Sequence, residues 1–426
     1  MESEKVQTAA KLRVPRSSRS NKSSVVHSRK KRLPEKIFLI AFAIGVLRAI
    51  LGISAMNVEP LKILTYTSIA LFIVKIMLTK YRPREIPVMV ALVVFSIIVY
   101  IRSHDNAIML FVLTLIAAKK VPPSKILRVT LCTIVPTSLV IIVCSLTGLI
   151  GYKDFKIMRS YVWIHRYGLG FEHPNMLHAV FMIAAGLFIY FVFRKNLFPS
   201  LICIGVLNIG LYILTRSRTG LLTVFCMIAI ATLYALPRFR KWTMRLSVPL
   251  FVFIVVFQLF LTIFYQKSSP LMEYINGLLM GRAMQAQYYL LHYHVSMFGT
   301  YIPDLTRTTF HYYLDFGYSR LLINFGWLTL LLYVFANVHT LLIYKSRRKP
   351  EYMLLIMTFA IAGFTENYIY YCYINITLMF FSVLLFGGSL YRSRLIDVLV
   401  LALQKIPGYK QTRHILHKCL RPWLEY

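Results

Sequence analysis

Long apolar runs decide what this chain can become. From Ala91 to Ile101 only Ser96 interrupts them, and from Val248 to Tyr265 only Pro249, Gln258 and Thr262 do. About 20 such residues in helical form cross a hydrocarbon layer ~30 Å thick. Backbone polar groups inside that layer must be satisfied within the segment itself, so the runs are expected to be helices. A barrel would show ~10-residue segments of alternating polarity, and no such pattern occurs. The sequence therefore predicts an all-α, polytopic helical membrane protein of about 12 transmembrane helices. The expected spans are 37–55, 60–78, 86–101, 106–118, 129–150, 174–193, 197–214, 219–236, 246–265, 317–343, 353–369 and 372–390. Composition agrees: 58% of the residues are hydrophobic and 15% charged, where a soluble domain holds about a quarter charged.

The net charge of +34 follows from topology. With the N-terminus inside, 35 of the 49 Lys and Arg fall on the cytosolic side, and Arg48, Lys62 and Lys75 lie within spans. This is the bias that orients membrane proteins, so no nucleic-acid partner is expected. The short span 106–118 is retained because omitting it would put Lys119, Lys120, Lys125 and Arg128 outside. The chain then divides into a basic, disordered tail 1–36 near anionic headgroups, a membrane domain 37–390, and a basic tail 391–426. Both termini are expected in the cytosol, with two larger extracytoplasmic loops, 151–173 and 266–316. The first run lacks a small-residue cleavage site and should remain as an uncleaved span. The six cysteines are scattered without ligand spacing, so neither a disulfide framework nor a zinc site is implied.

Positive charge outside runs against the topology bias and calls for an anionic ligand. Four constellations carry it. Arg166-Tyr-Gly-Leu-Gly-Phe-Glu-His-Pro-Asn175 joins two glycines, a helix-starting proline and a helix N-terminus able to meet an anion. Its bland reading is an ordinary loop into a span. Thr215-Arg-Ser-Arg-Thr-Gly220 packs Arg216 and Arg218 into a very short connection. A guanidinium fork suits phosphate, although arginines at helix ends also snorkel. After Gly281, Arg282, Gln285, Tyr289 and His292 recur at helical spacing, as in an interfacial amphipathic helix. Asp315-Phe-Gly-Tyr-Ser-Arg320 leads into a span, where an acid is also favoured by the helix dipole. Glu366 and Asn367 occupy the last outer turn, and Arg48 is expected to pair with Glu59.

In their order, Gly170-Phe-Glu-His-Pro-Asn175, Ser217-Arg-Thr-Gly220, Gly281-Arg282 and Asp315-x-Gly-Tyr318 resemble the Wzy-type polysaccharide polymerases, which belong with the O-antigen ligases. The resemblance spans roughly 37–390. It departs from the family at Glu172, where Gly is common, at the extra Arg216, and at Phe316, where Asn is frequent. Ligases more often have His at the place of Asp315, which favours a polymerase.

The resemblance implies a metal-independent glycosyltransferase without cofactor that joins undecaprenyl-pyrophosphate-linked oligosaccharide units into capsular or other cell-surface polysaccharide. A chain-length regulator protein is a further candidate partner. Arg166, Arg218, Arg282 and Arg216 would hold the pyrophosphate and stabilise its developing charge. Asp315, then His173, would be the catalytic base for the acceptor hydroxyl. Asn175, Tyr318 and Glu366 would make other substrate contacts. Two rivals remain: a ligase using another acceptor, and a lipid-linked oligosaccharide flippase. A transporter would concentrate polar residues at the bilayer midplane.

The topology can be tested by cysteine labelling in intact cells. Residues in 151–173 and 266–316 should react with an impermeant reagent, and residues in 237–245 should not. Outside labelling of 237–245 would contradict the charge map.

Overall fold

The computed structural model describes residues 20–55, 61–151, 154–159, 162–303 and 313–387. Most of tail 1–36, the tail 391–426 and Glu59, the expected partner of Arg48, lie outside them. The described residues form α1 Ser20–Gly52, α2 Leu61–Met77, α3 Glu85–Ser103, α4 Ala107–Ala117, α5 Pro123–Leu146, α6 Pro174–Val192, α7 Leu197–Thr215, α8 Arg218–Ala235 and α9 Pro237–Phe264. These are followed by α10 Pro270–Leu278, α11 Arg282–His292, α12 Gly317–Asn324, α13 Trp327–Ser346, α14 Pro350–Thr365 and α15 Phe381–Phe386. Short 3₁₀ turns at Tyr368–Tyr370 and Ile376–Phe380 link the last two helices.

Seven of these helices, α3, α5–α9 and α13, are long and apolar enough to cross a membrane. The chain is a helical, multi-pass membrane protein. Proline opens α5, α6, α9, α10 and α14, where its missing N–H costs nothing. The surface is apolar where a soluble protein would be polar: Ile202, Val206, Leu207 and Ile213 of α7 are exposed. The centre belongs to α14, almost wholly buried, packed against α6, α8 and α9.

Two expectations change. The loop 151–173 is not irregular. It holds an antiparallel hairpin, β1 Asp154–Arg159 and β2 Val162–Tyr167, in which Phe155 faces Arg166 and Lys156 faces His165. Aromatic and β-branched residues in Phe155, Ile157, Val162, Trp163 and Ile164 suit a short strand pair, and the fold is helical with one small sheet. The expected span 317–343 is also broken, between α12 and α13. There Gly326 takes φ +92° and Gly299 of the preceding loop also takes φ +92°. Thr300 N–H donates to Ile323 O at 3.1 Å and Trp327 N–H to Ser296 O at 3.1 Å. The crossing loop thus takes over hydrogen bonds a continuous helix would have kept, and a side chain at either glycine would meet backbone.

One polar side chain ties the broken span to the centre. Gln258, within the last two turns of α9, is fully buried. Its Nε2 donates to Gly363 O at 2.8 Å and Phe364 O at 2.6 Å, carbonyls at the end of α14. Its Oε1 accepts from Tyr318 N at 2.8 Å and Ser319 N at 3.2 Å, amides at the start of α12. Both donors and both acceptor positions are used, on helix-end groups that lack intrahelical partners. The approach is close: a Cβ on Gly317 would lie 2.7 Å from Glu366 O. Gln258 therefore fixes the start of α12, and Asp315 before it, beside the end of α14 and Glu366.

Gln258→Leu would leave two amides and two carbonyls unpaired in an apolar interior, at about 1–3 kcal/mol each where no other partner is found. Thermal unfolding of the purified protein should fall sharply, and more than for Gln258→Glu, which keeps the accepting half. Equal stability of Gln258→Leu and the parent would show that the clamp is dispensable.

Candidate functional site

The polar residues singled out in the sequence gather at one end of the bundle: the starts of α6, α8, α11 and α12 and the ends of α7 and α14. Gly170, at φ +85°, turns the chain after the hairpin. His173 is the N-cap of α6, its Nδ1 accepting from Asn175 N at 3.1 Å, with Pro174 in the first turn. Ser217 caps α8, accepting from Gly220 N at 3.4 Å. Gly220 carries no side chain because one would strike the His178 ring. Gly281, at φ +82°, places Arg282 at the head of α11.

Two guanidiniums are held inside. Arg166 Nε donates to Thr215 O at 2.8 Å and its Nη2 to Asn175 Oδ1 at 2.6 Å, which binds the hairpin to the start of α6 and the end of α7. Arg282, only 6% exposed, lies between two acids. Its Nε donates to Asp315 Oδ2 at 3.3 Å and its Nη2 to Glu366 Oε1 at 3.1 Å. Thr219 Oγ1 donates to the same Glu366 oxygen at 3.0 Å. Arg282 Nη1 is buried without a protein hydrogen-bond partner, and such groups call for an explanation. A small cavity lined by Asn175, His178, Ala179, Met182, Ser217, Gly220, Thr223, Glu366 and Tyr368 lies between the partner of Arg166 and the partner of Arg282.

The geometry reassigns several residues. Asp315 makes no helix cap, since α12 begins at Gly317 with no side-chain cap; its carboxylate goes to Arg282. His173 is a poor base. A backbone N–H can only donate, so Nδ1 is an acceptor and the ring proton sits on Nε2. Burial, with the Arg166 and Arg282 charges, pushes its pKa down to about 4. Its free edge is a neutral hydrogen-bond donor. Tyr318 is fully buried, its hydroxyl donating to Ala360 O at 2.8 Å. That side chain props the fold and offers no open surface to a ligand. The Arg216 and Arg218 side chains are exposed and make no hydrogen bond or ion pair among the described residues. On α11 the buried face is Arg282, Ala286 and Tyr289, whereas His292 is exposed and stacks on Tyr288 at 3.9 Å.

Glu366 gains most. Burial pushes its carboxyl above the ordinary carboxylate range; the Arg282 charge opposes the shift and the neighbouring Asp315 reinforces it. A carboxyl raised in this way holds a proton more readily than a free one, which makes Glu366 a candidate for proton transfer.

Sequence reasoning placed Glu366 at a turn but gave it only a contact role. It also missed the buried set behind the cleft, in which His178 Nε2 pairs with Asn208 Oδ1 at 2.8 Å and His178 Nδ1 with Thr215 Oγ1 at 3.2 Å. A histidine and an asparagine inside apolar runs were the available signal. Among the described residues no group of three His, Cys, Asp or Glu is placed to hold a metal ion. No family model, curated protein or solved structure matches the chain.

The raised Glu366 value has a signed consequence. A carboxyl held above its ordinary value of 4.5 stabilises the fold at low pH, and that contribution is lost as pH rises toward about 7. Glu366→Gln cannot titrate. Its unfolding temperature relative to the parent should therefore rise between pH 4.5 and 7. A difference that stays flat across that window would show an unperturbed carboxyl.

Proposed function

We propose that the chain is a lipid-linked oligosaccharide polymerase, a glycosyltransferase acting at the outer face of a bacterial plasma membrane on undecaprenyl-pyrophosphate-linked repeat units. In this reading the chain crosses the membrane about twelve times, has both termini in the cytosol, and turns the Arg282 end of the bundle outward. The observation that carries it is the meeting of Arg166, Arg282, Asp315 and Glu366, four separate segments, at one bundle end. That set has the two functions a displacement at a sugar phosphate needs.

The step balances simply. The acceptor hydroxyl oxygen attacks the anomeric carbon of the growing chain and the C–O bond to pyrophosphate breaks. The electron pair leaves on the phosphate oxygen, and the hydroxyl proton passes to a carboxylate. The Asp315–Glu366 pair is the proton acceptor, and Glu366, raised above the ordinary carboxylate range, becomes a candidate beside Asp315. Arg218 and Arg216, exposed and unpaired, are available to the pyrophosphate. The unpartnered Nη1 of Arg282 and the Nε2–H of His173 supply further donors, and charge growing on the leaving oxygen strengthens all of them. Asn175 would act by holding Arg166. Undecaprenyl pyrophosphate is the expected product and the bilayer the partner of the lipid tail.

A ligase would use the same chemistry once per acceptor, and a flippase would form no glycosidic bond. Purified protein given a synthetic lipid-linked repeat unit should yield a ladder of longer glycans, without added metal. Asp315→Asn and Glu366→Gln should each slow single-turnover transfer by about 10²–10⁴ with donor binding retained. Arg218→Lys should not restore full activity, because a point charge cannot copy the bidentate fork. A single product would favour the ligase, and no glycan product from active membranes would end the enzymatic reading.

A further inference from the structure

The opposite end of the bundle holds a second site of different chemistry. The end of α6, the start of α7, the end of α8, the start of α9, the end of α13 and the start of α14 surround an open cleft of ≈ 930 Å³. Its rim is basic: Lys195, Arg240, Lys241, Arg245, Lys345 and Arg348 line it. Glu351 is the acid in the lining; its Oε1 accepts from Arg194 Nη2 at 3.1 Å and lies 3.9 Å from Lys349 Nζ, while its buried Oε2 has no partner among the described residues. Lys195, Lys241, Lys345 and Arg348 make no side-chain hydrogen bond or ion pair among the described residues. Arg240 is fixed by donating to Tyr234 O at 2.9 Å and Ala235 O at 2.8 Å, which also satisfies the end of α8.

The apolar part of the lining includes Phe193, Leu197, Phe198 and Met244. Beside it Phe239, Trp242 and Leu246 are exposed, and Arg245 lies over the Trp242 ring at 5.7 Å. Exposed aromatics of this kind sit at the headgroup level of a bilayer. A cytosolic charge bias alone would scatter lysines and arginines over helix ends. Here they ring one concavity whose apolar lining would repel a hydrated ion and accept an acyl chain.

The geometry points to a binding site for one anionic glycerophospholipid, its phosphate among Lys195, Lys241, Lys345 and Arg348 and its acyl chains along Phe193, Leu197 and Phe198. Charge complementarity selects an anion, and the apolar lining selects an amphiphile. A basic pocket between membrane helices is a recognised setting for acidic headgroups. The site is independent of the proposed transfer chemistry, and it ties together helices α6, α8, α9 and α14, which also build the other end.

Native mass spectrometry of the full chain with dioleoyl phosphatidylglycerol and dioleoyl phosphatidylcholine tests this. The parent should retain the anionic phosphatidylglycerol selectively over phosphatidylcholine. Lys195→Gln, Lys241→Gln and Arg348→Gln combined should weaken retention on the order of a hundredfold, at roughly fivefold per charge near the surface. The three side chains have no partners to lose, so the unfolding temperature in detergent should be unchanged. Lys80→Gln, Arg82→Gln and Arg84→Gln combined, basic residues at the head of α3 outside the cleft, should leave retention intact. Inorganic phosphate should not displace the lipid. Unchanged retention in the cleft variant, equal loss in the α3 variant, or displacement by phosphate alone would each overturn the assignment.

Discussion

The Gln258 amide is the contact on which the rest depends. In an apolar interior a helix end cannot borrow water, so the last carbonyls of α14 and the first amides of α12 must find protein partners or destabilise the fold. One side chain supplies four hydrogen bonds, all from the last turns of α9. Tyr318 adds a fifth link, to Ala360 O, and Gly317 lets the two chain segments touch. Because α12 is held there, Asp315 arrives within reach of Arg282. Because α14 ends there, Glu366 does as well.

Arg282 then converts proximity into chemistry. Alone in a buried site a guanidinium would be costly, and so would either carboxylate. Together the three groups offset one another, and the sharing leaves an imbalance. Two acids compete for one cation, so one of them holds its proton more readily than a free carboxyl would. A second imbalance is the unused Nη1 of Arg282. Stability alone would favour filling both; the proposed transfer, which takes up a proton and binds an anion, would keep them open. The same logic explains His173, whose neutrality is enforced by two neighbouring cations and burial and whose cap role fixes the tautomer.

Much of this was legible in the sequence. Helices followed from apolar runs, the start of α6 from Pro174, and the chemistry-bearing residues from arginines standing where topology disfavours them. Asp315 and Arg282 were both singled out, but nothing in their spacing of 33 positions could pair them, since tertiary packing alone brings them together. The hairpin 154–167 was hidden because two six-residue strands give too short a pattern against a loop background. The break at Phe325–Gly326 was hidden because a single glycine in an apolar run reads as a tolerated defect, and its crossing loop lies 26 residues upstream. Gln258 was visible as an interruption in a span, but its four partners were not. Tyr318 was misread because a short motif reports that a tyrosine is present and not whether its hydroxyl faces ligand or backbone.

The account stands or falls on where the leaving group sits. Cryo-electron microscopy of the full chain with a non-cleavable phosphonate analogue of polyprenyl-pyrophosphate oligosaccharide locates it directly. The account predicts diphosphonate density at the Arg282 end of the bundle, within hydrogen-bond distance of Arg282 and one of Arg166 or Arg218, with the anomeric carbon facing the Asp315–Glu366 pair. Density at the midplane among the apolar helices, or confined to the basic cleft at the opposite end, would contradict it.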